Sequence, residues 1–269
     1  MHTSVARSGV NHGHMPRLWL ACITIAACLA AVAIGGCSSK RGALVAPQEM
    51  ISPYDSSRGE VLWAVAPLRN ESGTSAFDAL AMTDKVVAAA AQARGVQVLP
   101  LNRTLEAMRA LDLQEIRSLS DIQQLAAGMN VDAIVAGAIT AWDPYTPAIG
   151  LTLALHVREG RLQSQLPQRL DPVALQMGPT DRYTISGRLE IEEEGPASVA
   201  AQHLDGKNQG VQMRVQAYAR GRSEPGSATG WRRFLASMEL FSEFSAYDTV
   251  SALMDREWQR VSRVEARRK

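Results

Sequence analysis

The sequence predicts a layered α/β domain with a mixed central sheet of about five strands and helices packed on it, set behind an export segment and a tether. Three observations point there. Short apolar runs closed by proline or glycine alternate with stretches that repeat apolar residues at helical spacing. Two later stretches alternate apolar and polar residues one by one, as a sheet with one covered face requires. One uncharged apolar run stands near the start, Leu18 to Ile34, and ends in a cysteine, Cys37.

The apolar run follows Arg7 and Arg17 and precedes Gly35-Gly36-Cys37. A basic start, an apolar stretch and small residues at a cut site define a secretory signal. The run is close to the minimum length for crossing a bilayer, so an uncleaved span is the alternative. Ile34-Gly35-Gly36-Cys37 resembles the bacterial lipobox. That resemblance implies cleavage before Cys37, lipidation of its sulfur, and stable anchoring once two or more acyl chains are present. Ser38 stands where an aspartate often holds a lipoprotein in the inner membrane, which implies the outer membrane, facing the periplasm. The expected organisation is a leader over 1–36, a lipidated cysteine and flexible tether over 37–58, and one periplasmic domain over 59–269. Pro47, Pro53, Ser52, Ser56 and Ser57 give the tether its composition.

Within the domain, Val61–Ala66 closed by Pro67 reads as a buried strand. Ser75 with Asp78 resembles a capping box, and a helix is expected over 76–94 with Phe77, Leu80, Val87 and Ala91 on its inner side. Gly95 ends it where a left-handed residue is wanted. Val96–Leu99 is a second strand. Asn102 can cap a helix bearing Leu105, Met108 and Leu111. Ser118 and Asp121 start another, bearing Ile122, Leu125 and Met129. Val131–Ile139 is a third buried strand. Leu151, Leu153, Leu155 and Val157 mark a fourth, and Tyr183, Ile185, Leu189 and Ile191 a fifth. An insertion is expected near 159–182, with Pro167, Pro172, Gly178 and Pro179. Residues 209–220 favour a helix. A long helix from Trp231 closes the chain, with a break near Ser245–Asp248. Its inner stripe is expected to be Val250, Met254, Trp258 and Val261, with Arg256, Arg260, Arg263 and Arg267 facing away.

Composition excludes several functions. The formal net charge is +1, which exerts no pull on nucleic acid, and no nucleic-acid-binding signature is present. After cleavage the chain keeps one cysteine, whose sulfur carries lipid. No disulfide, thiolate metal site or cysteine nucleophile is expected. His156 and His203 lack ligand-type spacing, and no cofactor is expected. Glu190, Glu192, Glu193 and Glu194 could suggest calcium, but a solvated strand edge explains them better. No residue set supports an enzyme.

Two segments carry a family resemblance. Pro67-Leu68-Arg69-Asn70-Glu71-Ser72-Gly73 follows the first strand. Ala126-Ala127-Gly128-Met129-Asn130-Val131-Asp132-Ala133-Ile134-Val135-Ala136-Gly137 joins a helix to a buried strand. With the lipobox, they resemble the periplasmic α/β lipoproteins of the LpoB, CsgG and TolB amino-terminal type over residues 60–157. Pro67, Asn70 and Gly73 match the loop motif, and Asp132 and Gly137 match the strand motif. The resemblance implies a non-catalytic adaptor, regulator or assembly factor that binds another envelope protein. Its alternative is a subunit of a CsgG-type outer-membrane secretion pore. A pore would need apolar-out strands of about 9–11 residues with aromatic girdles. The stretches at 151–157 and 183–191 are shorter and have none. Oligomeric state is not legible.

Candidate partner-binding residues fall in two clusters. Arg69, Asn70, Glu71 and Ser72 lie at the carboxyl end of a buried strand, where ligands of α/β sheets often bind. The competing explanation is a self-capped turn. Trp142 and Tyr145, with Pro144 and Pro147, form an aromatic cluster beside a strand end. Such rings anchor interfaces, or pack on their own domain.

Overall fold

Apolar alternation and helix caps together decide where each element of the fold begins. The computed structural model describes residues 46–54, 57, 59–158, 195–223, 227 and 229–267, all within one compact unit. Cys37, the leader and the insertion near 159–182 lie outside the described residues. So do the proposed strand around Tyr183–Ile191 and the acidic run at 190–194.

The strands are β1 (Met50–Ile51), β2 (Val61–Val65), β3 (Arg69–Asn70), β4 (Ala93–Arg94), β5 (Val96–Val98), β6 (Ala133–Asp143), β7 (Ala148–Val157) and β8 (Ser198–Asp205). The helices are α1 (Ala79–Ala90), α2 (Leu101–Ala110), α3 (Leu119–Met129), α4 (Gln209–Ala219), α5 (Arg233–Ala236) and α6 (Met238–Arg267), with a 3-10 turn at Gly230–Arg232. The main sheet runs β5-β2-β6-β7-β8, with β3 also on β6. β5, β2 and β6 are parallel, and β6, β7 and β8 antiparallel. The sheet is therefore mixed and, among the described residues, open. A second small sheet pairs β1 with β4.

Helices cover the two faces unequally. On one face Trp63, Val65, Val135, Leu151, Leu153 and Leu155 are buried under α1, α4 and α6, which contribute Val86, Val215, Phe241, Phe244 and Leu253. On the other, Ala64, Ala66 and Ile134 meet Met108 of α2 and Ile122, Leu125 and Ala126 of α3. The small alanines let α2 and α3 approach the β2–β6 half closely. Each fully buried leucine or phenylalanine stabilises the fold by about 1.5–3 kcal/mol.

Local chemistry sets the boundaries. Asp78, not Ser75, caps α1, and its carboxylate accepts from the Ala81 amide at 3.0 Å. The buried side of α1 is accordingly Met82, Thr83, Val86, Ala89 and Ala90, while Leu80 is exposed. Pro100 rather than Asn102 precedes α2. α3 has the full capping box of Ser118 and Asp121. Gly95 adopts φ +90° between β4 and β5, a conformation that costs a side-chain-bearing residue strain. Asn208 caps α4 by accepting from the Gly210 and Val211 amides. α6 runs unbroken through Ser245–Asp248. Its buried serine and threonine hydroxyls are satisfied internally: Ser242, Ser245 and Thr249 each donate to the carbonyl four residues earlier.

β8 pairs with β7 in this sheet although no strand is expected there from the sequence. Residues 48–54, within the stretch read as tether, are built into the fold. Met50 and Tyr54 are buried, Tyr54 Oη donates to Glu257 Oε1 at 2.9 Å, and Trp258 Nε1 donates to the Ile51 carbonyl at 2.8 Å. This corrects the stripe expected on α6. Trp258 is 44% exposed, and Glu257, 0% exposed, takes the inner position beside Val250, Met254 and Val261.

Candidate functional site

The two candidate clusters lie toward the same end of the sheet. After Pro67 the chain runs on beside β6, with Arg69 opposite Ala138 and Asn70 opposite Ile139. The Glu71 amide donates to the Ile139 carbonyl at 2.8 Å. The loop then closes on itself. Asn70 Oδ1 accepts from the Ser72 amide at 3.1 Å and hydroxyl at 2.6 Å, and Asn70 Nδ2 donates to the Thr74 carbonyl at 2.8 Å. Asn70 and Ser72 are thus occupied in shaping the turn, as side chains of this kind commonly are. Arg69 and Glu71 project outward and pair with each other at 2.9 Å, both about half exposed. Such an exposed pair is worth about 1 kcal/mol or less, so it yields readily to a partner.

Trp142 and Tyr145 part company. The Trp142 ring lies 4.4 Å from that of Phe77, half-buried against the α1 side of the sheet. Tyr145 is 96% exposed at the tip of the β6–β7 hairpin. Asp143 Oδ1 accepts from the Tyr145 and Thr146 amides at 2.9 and 3.2 Å. The turn is therefore fixed and the ring is not.

A shallow groove of about 370 Å³ lies on the other face, between the sheet and the start of α3. It is open because α2 and α3 stop short of the β7 side. Ala136, Gly137, Ala138 and Ala154 make its floor, and Arg69, Glu71, Arg117, Ser118, Thr152 and His156 its polar surround. Burial lowers the His156 pKa and so favours the neutral ring, and among the described residues its Nδ1 has no hydrogen-bond partner. A floor of small side chains lets another chain's backbone approach the sheet closely. Among the described residues, no three His, Cys, Asp or Glu gather as a metal-ligand set. In the sequence, the alternation of Thr152, Ala154 and His156 with the leucines of β7 marks a strand with one covered face and says nothing of a groove.

The strand-motif residues have structural roles. Asp132 Oδ2 accepts from the Leu62 amide at 2.8 Å, and the Asp132 amide donates to the Leu62 carbonyl at 2.8 Å, so β2 is clamped to the start of β6. Gly137 lies so close to β7 that a Cβ would fall 2.2 Å from the Thr152 carbonyl oxygen.

A buried charged cluster that has no signature in the sequence centres on Glu257. Glu257 accepts from Arg260 Nε at 2.8 Å and Nη2 at 2.5 Å, from Ser198 Oγ at 2.6 Å and from Tyr54 Oη at 2.9 Å. Burial alone would raise its pKa. The hydrogen bonds and charge of Arg260, joined by those of Ser198 and Tyr54, outweigh burial and hold the carboxyl below its ordinary value. Burial, together with the Glu257 charge, pushes the Tyr54 phenol well up, so it stays a donor. The cluster is saturated by its own members and reads as a structural tie.

No protein-family model and no curated protein matches the chain. Among solved structures, the LpoB C-terminal domain from Salmonella enterica is 15% identical over 38% of this chain and 74% of its own, with a TM-score of 0.32. Lipoprotein GNA1162 from Neisseria meningitidis is 19% identical over 38% of this chain and 72% of its own, with a TM-score of 0.29. E. coli LpoB is 13% identical over 58% of this chain and 78% of its own, also at 0.29. All three likenesses are partial and of low identity.

Proposed function

We infer that this chain is an envelope lipoprotein, anchored through lipid on Cys37 to the outer membrane and facing the periplasm, whose domain is a non-catalytic protein-binding adaptor. The observation that carries the adaptor role is Tyr145, almost wholly exposed on a hairpin turn fixed by Asp143. An aromatic side chain held out on a rigid support gains contact area on binding at small entropic cost. Arg69 and Glu71 flank the groove at the same end of the sheet and supply polar contacts. The anchor rests on the Ile34-Gly35-Gly36-Cys37 motif. The pore alternative finds no support in β6 and β7. They have 11 and 10 residues, enough to cross a bilayer, but the leucines of β7 are buried beneath helices.

A photo-crosslinking side chain at position 145 tests the role in intact cells, with one at exposed Met213 as control. Position 145 should give one discrete adduct that position 213 lacks. Tyr145→Ala should leave stability within about 0.5 kcal/mol, as exposed substitutions do. Equal adducts from both positions, or none from 145, would overturn the adaptor reading. Mass analysis of the mature amino terminus tests the anchor: an unmodified Cys37 behind an intact leader sinks it.

A further inference from the structure

The chain joins its domain beside a concentration of arginines. Tyr247 Oη donates to the Gln48 carbonyl at 3.1 Å, fixing Gln48 against α6. The Arg222 guanidinium lies 4.6 Å from the centre of the same Tyr247 ring and 4.2 Å from that of Tyr218. Arg233 Nη2 donates to the Arg222 carbonyl at 3.0 Å, and the Arg232 guanidinium lies 5.0 Å from the Trp231 ring. Arg220 ends α4 two positions before Arg222. Arg220, Arg232 and Arg233 are exposed, and Arg222 and Trp231 half-buried.

Among the described residues, none of these four guanidinium groups pairs with a carboxylate. Glu239 and Glu243 of α6 are engaged by Lys85 instead. Arg222 donates to Gln92 Oε1 at 2.7 Å and to the Tyr218 carbonyl at 3.2 Å, both neutral acceptors. Among the described residues these four guanidinium groups thus form no ion pair, and Arg222 and Arg233 lie close to where the chain from Cys37 enters the fold.

Residues 38–47 separate Cys37 from Gln48. Even fully extended, that stretch reaches no more than about 40 Å. A domain tied to a bilayer by so short a link can lay the face around Gln48 against the lipid. We propose that Arg220, Arg222, Arg232 and Arg233, with Trp231, bind anionic phospholipid headgroups in the leaflet that carries the anchor, and so fix the orientation of the domain on it. This rests on the Cys37 anchor inferred above. Guanidinium groups match phosphate oxygens in geometry and charge, and tryptophan favours the headgroup level. The tether also presents the bilayer at high effective concentration, an advantage that a soluble acidic protein lacks.

The test uses the mature lipidated protein in vesicles of phosphatidylcholine, alone or mixed with phosphatidylglycerol. Cys37 is blocked by lipid, so a dye can be attached singly through Thr229→Cys, beside the cluster, or through Gln114→Cys, across the sheet. Quenching by a headgroup-borne nitroxide reports which face lies on the membrane. In phosphatidylglycerol the dye at 229 should be quenched several-fold more than the dye at 114, and high salt should erase the difference. Each arginine changed to glutamine should weaken the oriented state about fivefold. Because Arg222 stacks on two tyrosines, the triple variant Arg220→Gln, Arg232→Gln, Arg233→Gln is read beside the quadruple one, so a folding defect cannot imitate the result. Equal quenching at both positions in phosphatidylglycerol overturns the proposal, as does unaltered quenching in the triple variant. Protein that does not float with pure phosphatidylcholine vesicles has no anchor, and that outcome overturns the lipoprotein reading and this orientation together.

Discussion

Glu257 shows how one side chain can reassign a helix face. Val250, Met254 and Val261 are buried as their spacing predicts, but the place between them belongs to Glu257 rather than Trp258. A carboxylate reads from sequence as solvated. What makes it an inner residue is Tyr54, Ser198 and Arg260, two of them far away along the chain. Arg260, expected to face away, turns inward to pair with it. Glu257→Gln should cost about 3–5 kcal/mol at neutral pH, because it leaves the Arg260 charge without its partner. Trp258→Ala should cost far less than a core tryptophan, since it loses mainly one hydrogen bond, worth about 1 kcal/mol. The acid response of the protein follows from the lowered pKa of Glu257. Its contribution is present above the ordinary carboxylate value of about 4.3 and is lost as pH falls through the lower folded-state value. Urea titrations across that range should show this component in the wild type and not in Glu257→Gln. A variant that stays as stable as the wild type at neutral pH would show the cluster to be dispensable.

Elements were legible where apolar contrast was strong. β2, β6 and β7 are dominated by aliphatic residues, and all three are found. The face of α1 was misread because its sequence is largely alanine and valine, so the cap position decides which side turns inward. β8 went unmarked because its buried positions are Ser198, Ala200 and Leu204, too weak an alternation to stand out. The break expected in α6 reflected serines and threonine that bond back to their own helix. The β6–β7 pair also supplies a sharp test. Gly137→Ala would drive a methyl group into the Thr152 carbonyl and should cost about 1–3 kcal/mol, the usual penalty of overpacking. Gly195→Ala meets nothing within 4 Å among the described residues and should be neutral. Equal urea midpoints for the two variants would mean that β6 and β7 part without cost.

For the whole molecule, the fold class was legible and the limits of the folded unit were not. The mixed sheet with helices on both faces follows from alternating patterns that are strong enough to read singly. The stretch 48–54 has no period of its own, and its structure comes from α6 and β4. A chain beginning at Ser57 loses Met50 and Tyr54 from the core, and should be less stable by about 3–6 kcal/mol than one beginning at Ala46. Matching denaturation midpoints for the two chains would show residues 46–56 to be mere covering. Of the candidate site, the positions of Tyr145 and the Arg69–Ser72 turn could be read locally. The groove could not, because it depends on where α2 and α3 end relative to β7.

The tie between residues 48–54 and α6 also imposes an order in time. Tyr54 meets Glu257 across 203 positions and Ile51 meets Trp258 across 207. All the chain between them must be drawn together before this seam can close. Closing so long a loop is slow compared with local helix or hairpin formation. The central sheet can therefore assemble first, and the seam between residues 48–54 and α6 closes after it.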